Sequence, residues 1–562
     1  MNKKYAGLIS ILLLSNVFFA VQLETKSGKS QVNVIKIGLL APLAQISGKD
    51  MEKGAILAVK EINAAGGVLL NGTNFNFELI VEDSSSPLTG VPDPSIAVTN
   101  ARKLMNQDDV AVMLGGSRNE VAIAVMEQLD RPFLGVGTTA PIISHYFWRV
   151  GPANGSIITR GIIDLFAYGL SQIEPVITNV TIIRENVVGF FAMSKSIKNL
   201  LHSVLPLTYG FRQFNFTEDV VLEETETLDS VLTALTPLKT EYQGLKINAI
   251  ITLLRGQVGK YVSQTWAQLD MSQMLCGINI KSQENTFFEE TEGAAYGEIQ
   301  LESYLPDMEA SPKTQPFRDA YYGDYREMPA YTSFTSYDSI YLIKDAIIRA
   351  GSITPTALQT VLATTDYQGA AYKIKFTNEP GSQSGTNATG DPEPIPGAPD
   401  NITVHDLWTP QTVGILGFPY YQTCFVQWQQ GGGKKTIWTR LGESIDTRDI
   451  TQHIIWPIDH SQHGYEPITT AEPPTSTEPV TTTEPPTSSE PITSTEPSTS
   501  SEPTTSLGPP TTTEPTTSES STDKSTSELA PPTIIPGFTL PILICILIGV
   551  VIIREHYKKT ST

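Results

Sequence analysis

A strand, a loop and a helix follow one another near the start of the chain, and this unit constrains the fold more than any other segment. Five of the seven residues from 34 to 40 are apolar, which is typical of a strand that helices cover on both faces of its sheet. The helix predicted after the loop stops at the glycines 66–67, and its apolar face carries Met51, Ala55, Ala58, Val59 and Ile62. The sequence therefore predicts an α/β unit whose loop lies where open α/β sheets bind small molecules.

Residues 1–22 have the pattern of a secretory signal peptide. Lys3 and Lys4 precede an apolar run from Ala6 to Ala20, and this run is too short to span a membrane comfortably. We therefore expect the rest of the chain to be exported. No clean small-residue cleavage motif follows the run, so the sequence leaves the mature N-terminus open.

The C-terminal part of the chain predicts a stalk and a membrane anchor. Residues 466–533 consist largely of Thr, Ser, Pro and Glu, and a Glu-Pro pair recurs every six residues from Glu466 to Glu502. Such a segment cannot bury a core, which favours an extended, disordered stalk. Residues 538–553 are apolar except for Thr539, which predicts one transmembrane helix. The basic tail, 554–562, then lies in the cytoplasm, and the globular region lies outside the cell membrane.

Charge and cysteine content exclude several classes of protein. The formal net charge is −21, which argues against nucleic acid as a partner. Three cysteines are too few for a disulfide framework. Cys545 lies in the predicted membrane helix, and the sequence leaves open whether Cys276 and Cys424 pair. Six Asn-x-Ser/Thr sequons agree weakly with an outward-facing glycoprotein: Asn71, Asn154, Asn179, Asn215, Asn387 and Asn401.

About 420 residues form the globular region, more than one core usually holds, so we expect two domains. Strands and helices alternate through this region. Helices are predicted from Pro94 to Met105 and from Ser117 onward. Strands are predicted at 75–81, 110–114, 133–136, 180–183, 249–254 and 274–278. This rhythm predicts two parallel sheets, the second of which begins near Val180.

Ordered motifs along the globular region resemble those of a known family. They are IGLLAPL (37–43), GAILAVKEINAAGGV (54–68), EDSSSP (82–87), AVTNARKL (97–104), LGGS (114–117), GTTAP (137–141), FRDAYYGDY (317–325), SYDSIYLIKDAIIRAGS (336–352) and VQWQQGGG (426–433). In this order they resemble the type I periplasmic-binding-protein family of branched-chain amino-acid transport systems.

The resemblance implies an α/β fold of two Rossmann-like lobes, a Venus flytrap, joined by three crossovers near Gly151, Ile299 and Gln368. The first lobe would combine residues 34–150 and 300–367, and the second residues 151–299 and 368–456.

The resemblance also implies a carboxylate site on the first lobe, at Ser117, Gly137 and Thr139 with their neighbours Gly116 and Thr138. Ser117 is expected just after a strand at the start of a helix, where free N–H groups and the helix dipole favour an anion. Gly137 lets a ligand approach the backbone, and Thr139 supplies a rotatable donor. The alternative is that Ser117 is only a helix N-cap and that Thr138 and Thr139 form only a turn.

The second lobe departs from the family pattern. Where the family presents aromatic side chains to a ligand, this chain has Gln45 and Ile46 in the first loop, Val188 before Gly189, and Arg255 after a strand. The candidates for the acidic group that would bind the ligand's ammonium group are Glu185, Gln283 and Glu284. The sequence does not decide among them. An arginine in the cleft would favour a ligand with a second acid group, and a salt-bridged surface Arg255 is the alternative.

Several patterns that suggest catalysis or a cofactor are weak. Residues 135–140 fit a dinucleotide fingerprint but lie after the wrong strand, and residues 115–119 lack the second glycine of a hydrolase elbow. His145 is an isolated candidate base. His453, His460, His463 and Asp459 adjoin the stalk and make a poor metal site. We therefore expect no enzyme activity, no cofactor and no metal.

The expected function is an extracellular solute-binding protein. It would capture an amino acid or a related small carboxylate by lobe closure and deliver it to an ABC permease in the membrane. The alternative is a sensory ectodomain that signals through a partner membrane protein. Residues 536–538, Pro-Gly-Phe, resemble archaeal surface-protein sorting signals, which leaves open whether the C-terminal helix is kept or exchanged for a lipid. Ligand identity and oligomeric state also stay open.

Overall fold

The computed structural model of the 562-residue chain describes residues 33–116, 118–140, 142–304, 306–376, 379–380, 403–407, 424–439, 450–458 and 460. The chain separates into two compact units, Met1–Pro474 and Thr475–Thr562, and every described residue lies in the first. The predicted signal peptide, stalk, transmembrane helix and tail lie outside the described residues. Among the described helices, none is long and apolar enough to cross a bilayer.

A first sheet of six strands is built from the N-terminal part of the chain. Its strands are β1 (Asn33–Ala41), β2 (Val68–Leu70), β3 (Thr73–Asp83), β4 (Val112–Gly115), β5 (Phe133–Val136) and β6 (Phe147–Gly151). Their order across the sheet is β2-β3-β1-β4-β5-β6, and all neighbours are parallel except β2 and β3. The near-continuous burial of β1 agrees with its apolar sequence, because helices cover both faces of the sheet.

Helices pack on both faces of the first sheet. In chain order these are α1 (Ile46–Ala64), α2 (Pro94–Asn106) and α3 (Asn119–Met126), followed by the later α10 (Thr314–Tyr325), α11 (Tyr331–Ala350) and α12 (Pro355–Leu362). The apolar face of α1 packs with α11 on one side of the sheet, and α2 and α3 pack on the other. The predicted helices at the start of α1 and at Pro94 are confirmed, the latter with Asp93 as its N-cap.

The second sheet is mixed. Its strands are β7 (Asn179–Glu185), β8 (Asn215–Phe216), β9 (Val220–Leu222), β10 (Ala249–Leu254), β11 (Met274–Asn279), β12 (Ile299–Glu302), β17 (Cys424–Trp428) and β18 (Lys434–Thr439). The path is β18-β17-β12-β11-β10-β7-β8, with β9 also paired to β7. The strands predicted at 180–183, 249–254 and 274–278 pair in parallel as β7, β10 and β11, which confirms that part of the prediction. The sheet as a whole is mixed, because β17 pairs antiparallel with both β12 and β18.

The helices associated with the second sheet are short to medium in length. They are α4 (Gly155–Asp164), α5 (Val188–Asn199), α6 (Leu205–Tyr209), α7 (Leu228–Leu235), α8 (Val258–Gln268), α9 (Phe287–Glu290) and α13 (Ile450–His453). Wide π-helical turns extend α4 through Leu165–Gly169 and α5 through Leu200–Val204. Short 3₁₀ turns lie at Leu170–Gln172, Thr236–Lys239 and Ile280–Gln283.

Some residues contact the lobe to which they were not predicted to belong. β12, most of which is predicted in the first lobe, is a strand of the second sheet. Residues 369–376 and 403–407, predicted in the second lobe, contact the first: the Tyr372 hydroxyl donates to the Val150 carbonyl, and the Arg149 N–H donates to the His405 carbonyl at 3.1 Å. Two further pairs of short strands are antiparallel, β13 (Asp366–Gln368) with β14 (Lys373–Lys375) and β15 (Glu379–Pro380) with β16 (Thr403–Val404).

Cys276 and Cys424 are both buried and free. They lie on β11 and β17, which are separated by β12. Two strand spacings amount to about 9–10 Å, beyond the roughly 7 Å between Cα atoms that a disulfide can bridge. The Cys424 thiol instead donates to the Tyr304 carbonyl at 3.0 Å, so this structure keeps the two cysteines unpaired.

Candidate functional site

Each sheet has one point where successive connections leave in opposite directions, and most of the predicted site residues that the structure describes lie near these two points. In the first sheet the chain goes from β1 to β3 on one side and then to β4 on the other. In the second sheet it goes from β7 to β8 and β9 on one side and then to β10 on the other. Ligands of open α/β sheets bind at such switch points, beyond the carboxyl ends of the strands.

Gly116 and Gly137 follow β4 and β5 and adopt positive φ angles of 88° and 108°. Their backbone N–H groups are already used at the sheet edge, because Gly116 donates to the Leu40 carbonyl at 3.0 Å and Gly137 to the Gly151 carbonyl at 2.8 Å. Both glycines therefore shape the turn without leaving their own N–H groups free for a ligand.

Ser117 itself lies outside the described residues, but the helix beside it is described. The predicted helix start at Ser117 is wrong by two residues: α3 begins at Asn119, and its N-cap residue is Arg118, whose side chain makes no capping hydrogen bond. The positive φ angles of Gly115 and Gly116 delay the helical dihedrals. The first N–H groups of α3 nevertheless point toward this edge, as the ends of helices require.

Asn119 holds the loop after β5, a role that no sequence pattern predicts. Its Oδ1 accepts hydrogen bonds from the Thr138 hydroxyl at 2.9 Å and from the backbone N–H groups of Thr139 and Ala140, both at 3.1 Å. The amide oxygen therefore occupies the N–H groups that a carboxylate would otherwise engage on this loop. The Thr139 hydroxyl makes no hydrogen bond with another described residue and remains available.

A buried arginine clamps the same loop from its other side. The Arg149 guanidinium donates to the carbonyls of Thr138 and Ala140, and its Nε lies 2.6 Å from Oδ1 of Asp406. Asn154 donates to the other oxygen of Asp406 at 3.1 Å. Because all of these groups are almost fully buried, the loop is fixed in place before any ligand arrives.

Glu185 organises the facing edge of the second sheet. Its carboxylate is buried at the end of β7, and Oε1 accepts the backbone N–H groups of Arg255 and Gly256, both at 2.6 Å. The Arg255 Nε lies 3.5 Å from Oε2 of Glu185. Glu185 and Arg255, both predicted, are thus brought together, with Glu185 as the support of the turn that carries Arg255.

Four side chains of alternating charge close the gap between the two edges. Arg118 Nη2 donates to Oε1 of Glu224 at 2.7 Å, and Arg255 Nη2 lies 3.4 Å from its Oε2. Glu120 lies 3.7 Å from Arg255 and 3.9 Å from Arg118. We call these four residues the charge ring.

Burial alone would raise the pKa of Glu224, but the hydrogen bond and charge of Arg118, together with Arg255, lower it below its ordinary value.

The remaining predicted residues lie outside the charge ring. Val188 begins α5 and is 87% exposed. Gln283 is buried, and its amide donates to the Leu301 carbonyl at 3.0 Å. Burial raises the pKa of Glu284, which is paired with Lys281. In the first loop, Gln45 is the N-cap of α1 and makes no side-chain capping bond.

The comparisons with known proteins agree with this architecture. Residues 34–166 match the family model described as a periplasmic binding protein. No curated protein sequence matches the chain.

Solved structures of similar fold cover most of the globular region. A branched-chain amino acid transporter substrate-binding protein from Streptococcus pneumoniae, in complex with isoleucine, is 18% identical; the match covers 67% of this chain and 100% of that one, with a TM-score of 0.50. A leucine-binding protein from Thermotoga maritima is 15% identical, with coverage of 73% and 100% and a TM-score of 0.53.

A solute-binding protein of an ABC transporter from Rhodopseudomonas palustris, in complex with 3,4-dihydroxybenzoic acid, is 15% identical, with coverage of 72% and 97% and a TM-score of 0.51. At these identities the likeness concerns the fold. The globular region therefore has the α/β fold of type I periplasmic binding proteins, with mixed sheets.

Proposed function

We propose that this protein is an extracellular solute-binding protein that captures an amino acid or a related small carboxylate and delivers it to an ABC importer. The observation that carries the proposal is the juxtaposition of the two switch points, whose residues meet through the Arg118–Glu224 contact at 2.7 Å. A ligand held there would touch both lobes, so its binding would favour their closure.

The polar groups at the two edges support a ligand with a carboxylate. Arg118 and Arg255 are only 21% and 25% exposed, so their charges act in a partly desolvated space. The Thr139 hydroxyl and the first N–H groups of α3 lie on the first-lobe side. The ligands named for two of the structures of this fold, isoleucine and 3,4-dihydroxybenzoic acid, share a carboxylate and little else.

A thermal-shift screen of the purified chain tests this proposal. Branched-chain amino acids, aromatic carboxylates, dicarboxylates and short peptides are compared, because a ligand of the native state raises the melting temperature by mass action. We expect a carboxylate among the hits. Its primary amide should bind at least tenfold more weakly by calorimetry, since it lacks the charge that the arginines and helix N–H groups recognise. Equal binding of acid and amide would contradict the proposed carboxylate site.

Thr139→Ala tests the first-lobe side of the site. Loss of its hydroxyl should weaken the binding of the confirmed hit by about 1.5–3 kcal/mol, as for hydrogen bonds to charged groups. Thr99→Ala is a matched control, because Thr99 is an exposed helix residue whose hydroxyl bonds the Ser95 carbonyl of its own helix. An unchanged affinity in Thr139→Ala would remove this residue from the site.

Delivery to a permease and anchoring through residues 538–553 belong to the same proposal. A tether would keep the binding protein near its permease and raise its effective concentration there. Purification from native membranes should recover transporter subunits, and recovery of a kinase instead would favour the sensory alternative.

Intact-mass measurement tests the membrane anchor. The mass of the mature chain should include the residues beyond Phe538 if the helix is kept.

A further inference from the structure

The charge ring needs both lobes. Arg118 and Glu120 lie at the start of α3, on the first sheet, whereas Glu224 and Arg255 follow β9 and β10 of the second. Two of its contacts cross between the lobes: Arg118 with Glu224 at 2.7 Å and Glu120 with Arg255 at 3.7 Å. Both of these contacts break when the lobes separate.

Each lobe keeps a neutral pair when the ring opens. Arg118 retains Glu120 at 3.9 Å on the first lobe, and Arg255 retains Glu224 at 3.4 Å on the second. Separation therefore exposes no uncompensated charge, which keeps the cost of opening moderate. A ring of this kind can form and break reversibly.

The ring is preorganised on the second lobe. Buried Glu185 accepts two backbone N–H groups of the turn that carries Arg255 and lies 3.5 Å from its guanidinium. Arg255 is therefore held in position whether or not the first lobe is near. The exposed fractions of Glu120 and Glu224, 44% and 40%, leave these contacts sensitive to dissolved salt.

We propose that the charge ring is an electrostatic latch that holds the two lobes together in the absence of ligand. The latch sets the fraction of molecules whose cleft is shut before a ligand arrives. This inference goes beyond the proposed function, because no ligand takes part in it.

The test is an electron-spin distance measurement on the ligand-free full chain. Spin labels are placed at Leu88→Cys on the first lobe and Leu207→Cys on the second, which are 93% and 86% exposed. Cys276 and Cys424 are buried and stay unlabelled, and Cys545 is replaced by serine. Distance distributions are recorded at low salt and at 1 M salt, where the Debye length falls to about 3 Å.

We expect the short-distance population to be larger than the long-distance population at low salt. Either 1 M salt or Glu224→Gln should lower the ratio of short to long distances by about two- to tenfold, the range for partly exposed charge-assisted contacts. The double variant Arg118→Gln with Glu224→Gln should open no further than either single variant, because both remove the same contact. Glu226→Gln is the matched control, since Glu226 lies on the same loop and forms no ion pair with any described residue; it should leave the distribution unchanged.

Distributions that are identical at both salt concentrations, and identical with and without Glu224→Gln, would overturn the latch. Additive opening by the two variants would overturn it as well, because it would show that Arg118 and Glu224 act separately. Either result would leave the proposed function standing, since the thermal-shift screen measures ligand binding and this experiment contains no ligand.

Discussion

Arg149 is the residue whose loss should damage the first-lobe edge most. Its guanidinium is 1% exposed and is paired with Asp406 while it holds two carbonyls of the loop that carries Thr139. Arg149→Ala removes the cationic partner of the buried Asp406 carboxylate and the donor to two loop carbonyls, so we expect the free energy of unfolding to fall by about 3–5 kcal/mol. Urea denaturation measures this change. Lys60→Ala is the control: Lys60 forms a surface pair with Asp324 at 2.6 Å, and its loss should cost less than about 1 kcal/mol.

Glu298 should make stability depend on pH. Burial raises the pKa of Glu298 to about 7, although Ser263 and Asn279 donate hydrogen bonds to it. The folded state therefore holds this proton more tightly than the unfolded chain. The contribution of protonated Glu298 to the free energy of unfolding is complete when the pH is below the unfolded pKa, near 4.5. It is lost as the pH rises through the folded pKa, about 7.

The measurement is the free energy of unfolding between pH 4.5 and pH 8 for the wild type and for Glu298→Gln. We expect the wild type to lose stability relative to the variant as pH rises, by a difference on the order of 3 kcal/mol. Burial also raises the pKa of Asp50 and Asp338, to about 7 and about 6, and the difference between the two proteins removes their contribution. Parallel profiles would contradict a buried, titrating Glu298.

Single residues also decide which sequons can carry a glycan. Asn154 fits the acceptor pattern, but its side chain is buried, accepts the Ile157 N–H and donates to Asp406. A glycan on that amide would break both bonds, so folded protein should carry none at Asn154. Glycopeptide mass spectrometry checks this expectation, with exposed Asn215 as the comparison site.

At the scale of elements, Gly54 sets the closest approach of two helices. It lies in α1, and a Cβ placed there would come within 2.2 Å of the Ser333 carbonyl oxygen of α11. Gly54→Ala should therefore destabilise the fold by about 1–3 kcal/mol, although alanine is the better helix former. Gly189→Ala, in α5 with no other group within 4 Å, should instead stabilise by up to about 1 kcal/mol. Thermal unfolding of both variants compares them, and equal effects would contradict the packing argument.

Helices and strands were predictable where the sequence pattern that specifies them lies within a short stretch of the chain. The apolar run of β1, the stripe of α1 and the Pro94 helix start each appear within a dozen or so residues, and the structure confirms them. The antiparallel pairing of β17 with β12 was not predictable, because its partner lies more than a hundred residues away. A strand's own sequence does not specify the direction of its neighbour.

The same distinction applies to the candidate site. Glu185 and Arg255 could be proposed from the sequence because each lies just after a predicted buried strand, although their role in binding stays a prediction. Asn119 was missed because one polar residue in the first turn of a helix is ordinary, and its role depends on a loop about twenty residues later. Arg149 and Asp406 are 257 residues apart, and no local pattern connects them.

At the scale of the whole molecule, the two sheets face each other at the edges where their connections reverse. The fold supplies a first edge held by Asn119 and Arg149, a second edge held by Glu185, and a charge ring between them. A ligand that binds there should order both edges at once, because neither edge alone encloses it.

Hydrogen–deuterium exchange of the full chain, with and without the carboxylate hit, tests this claim most directly. We predict slower exchange on ligand binding in peptides that cover 116–121 and 137–140 on the first lobe and, simultaneously, 185–188 and 254–257 on the second. Protection confined to one lobe, or found only in peptides far from these edges, would contradict it.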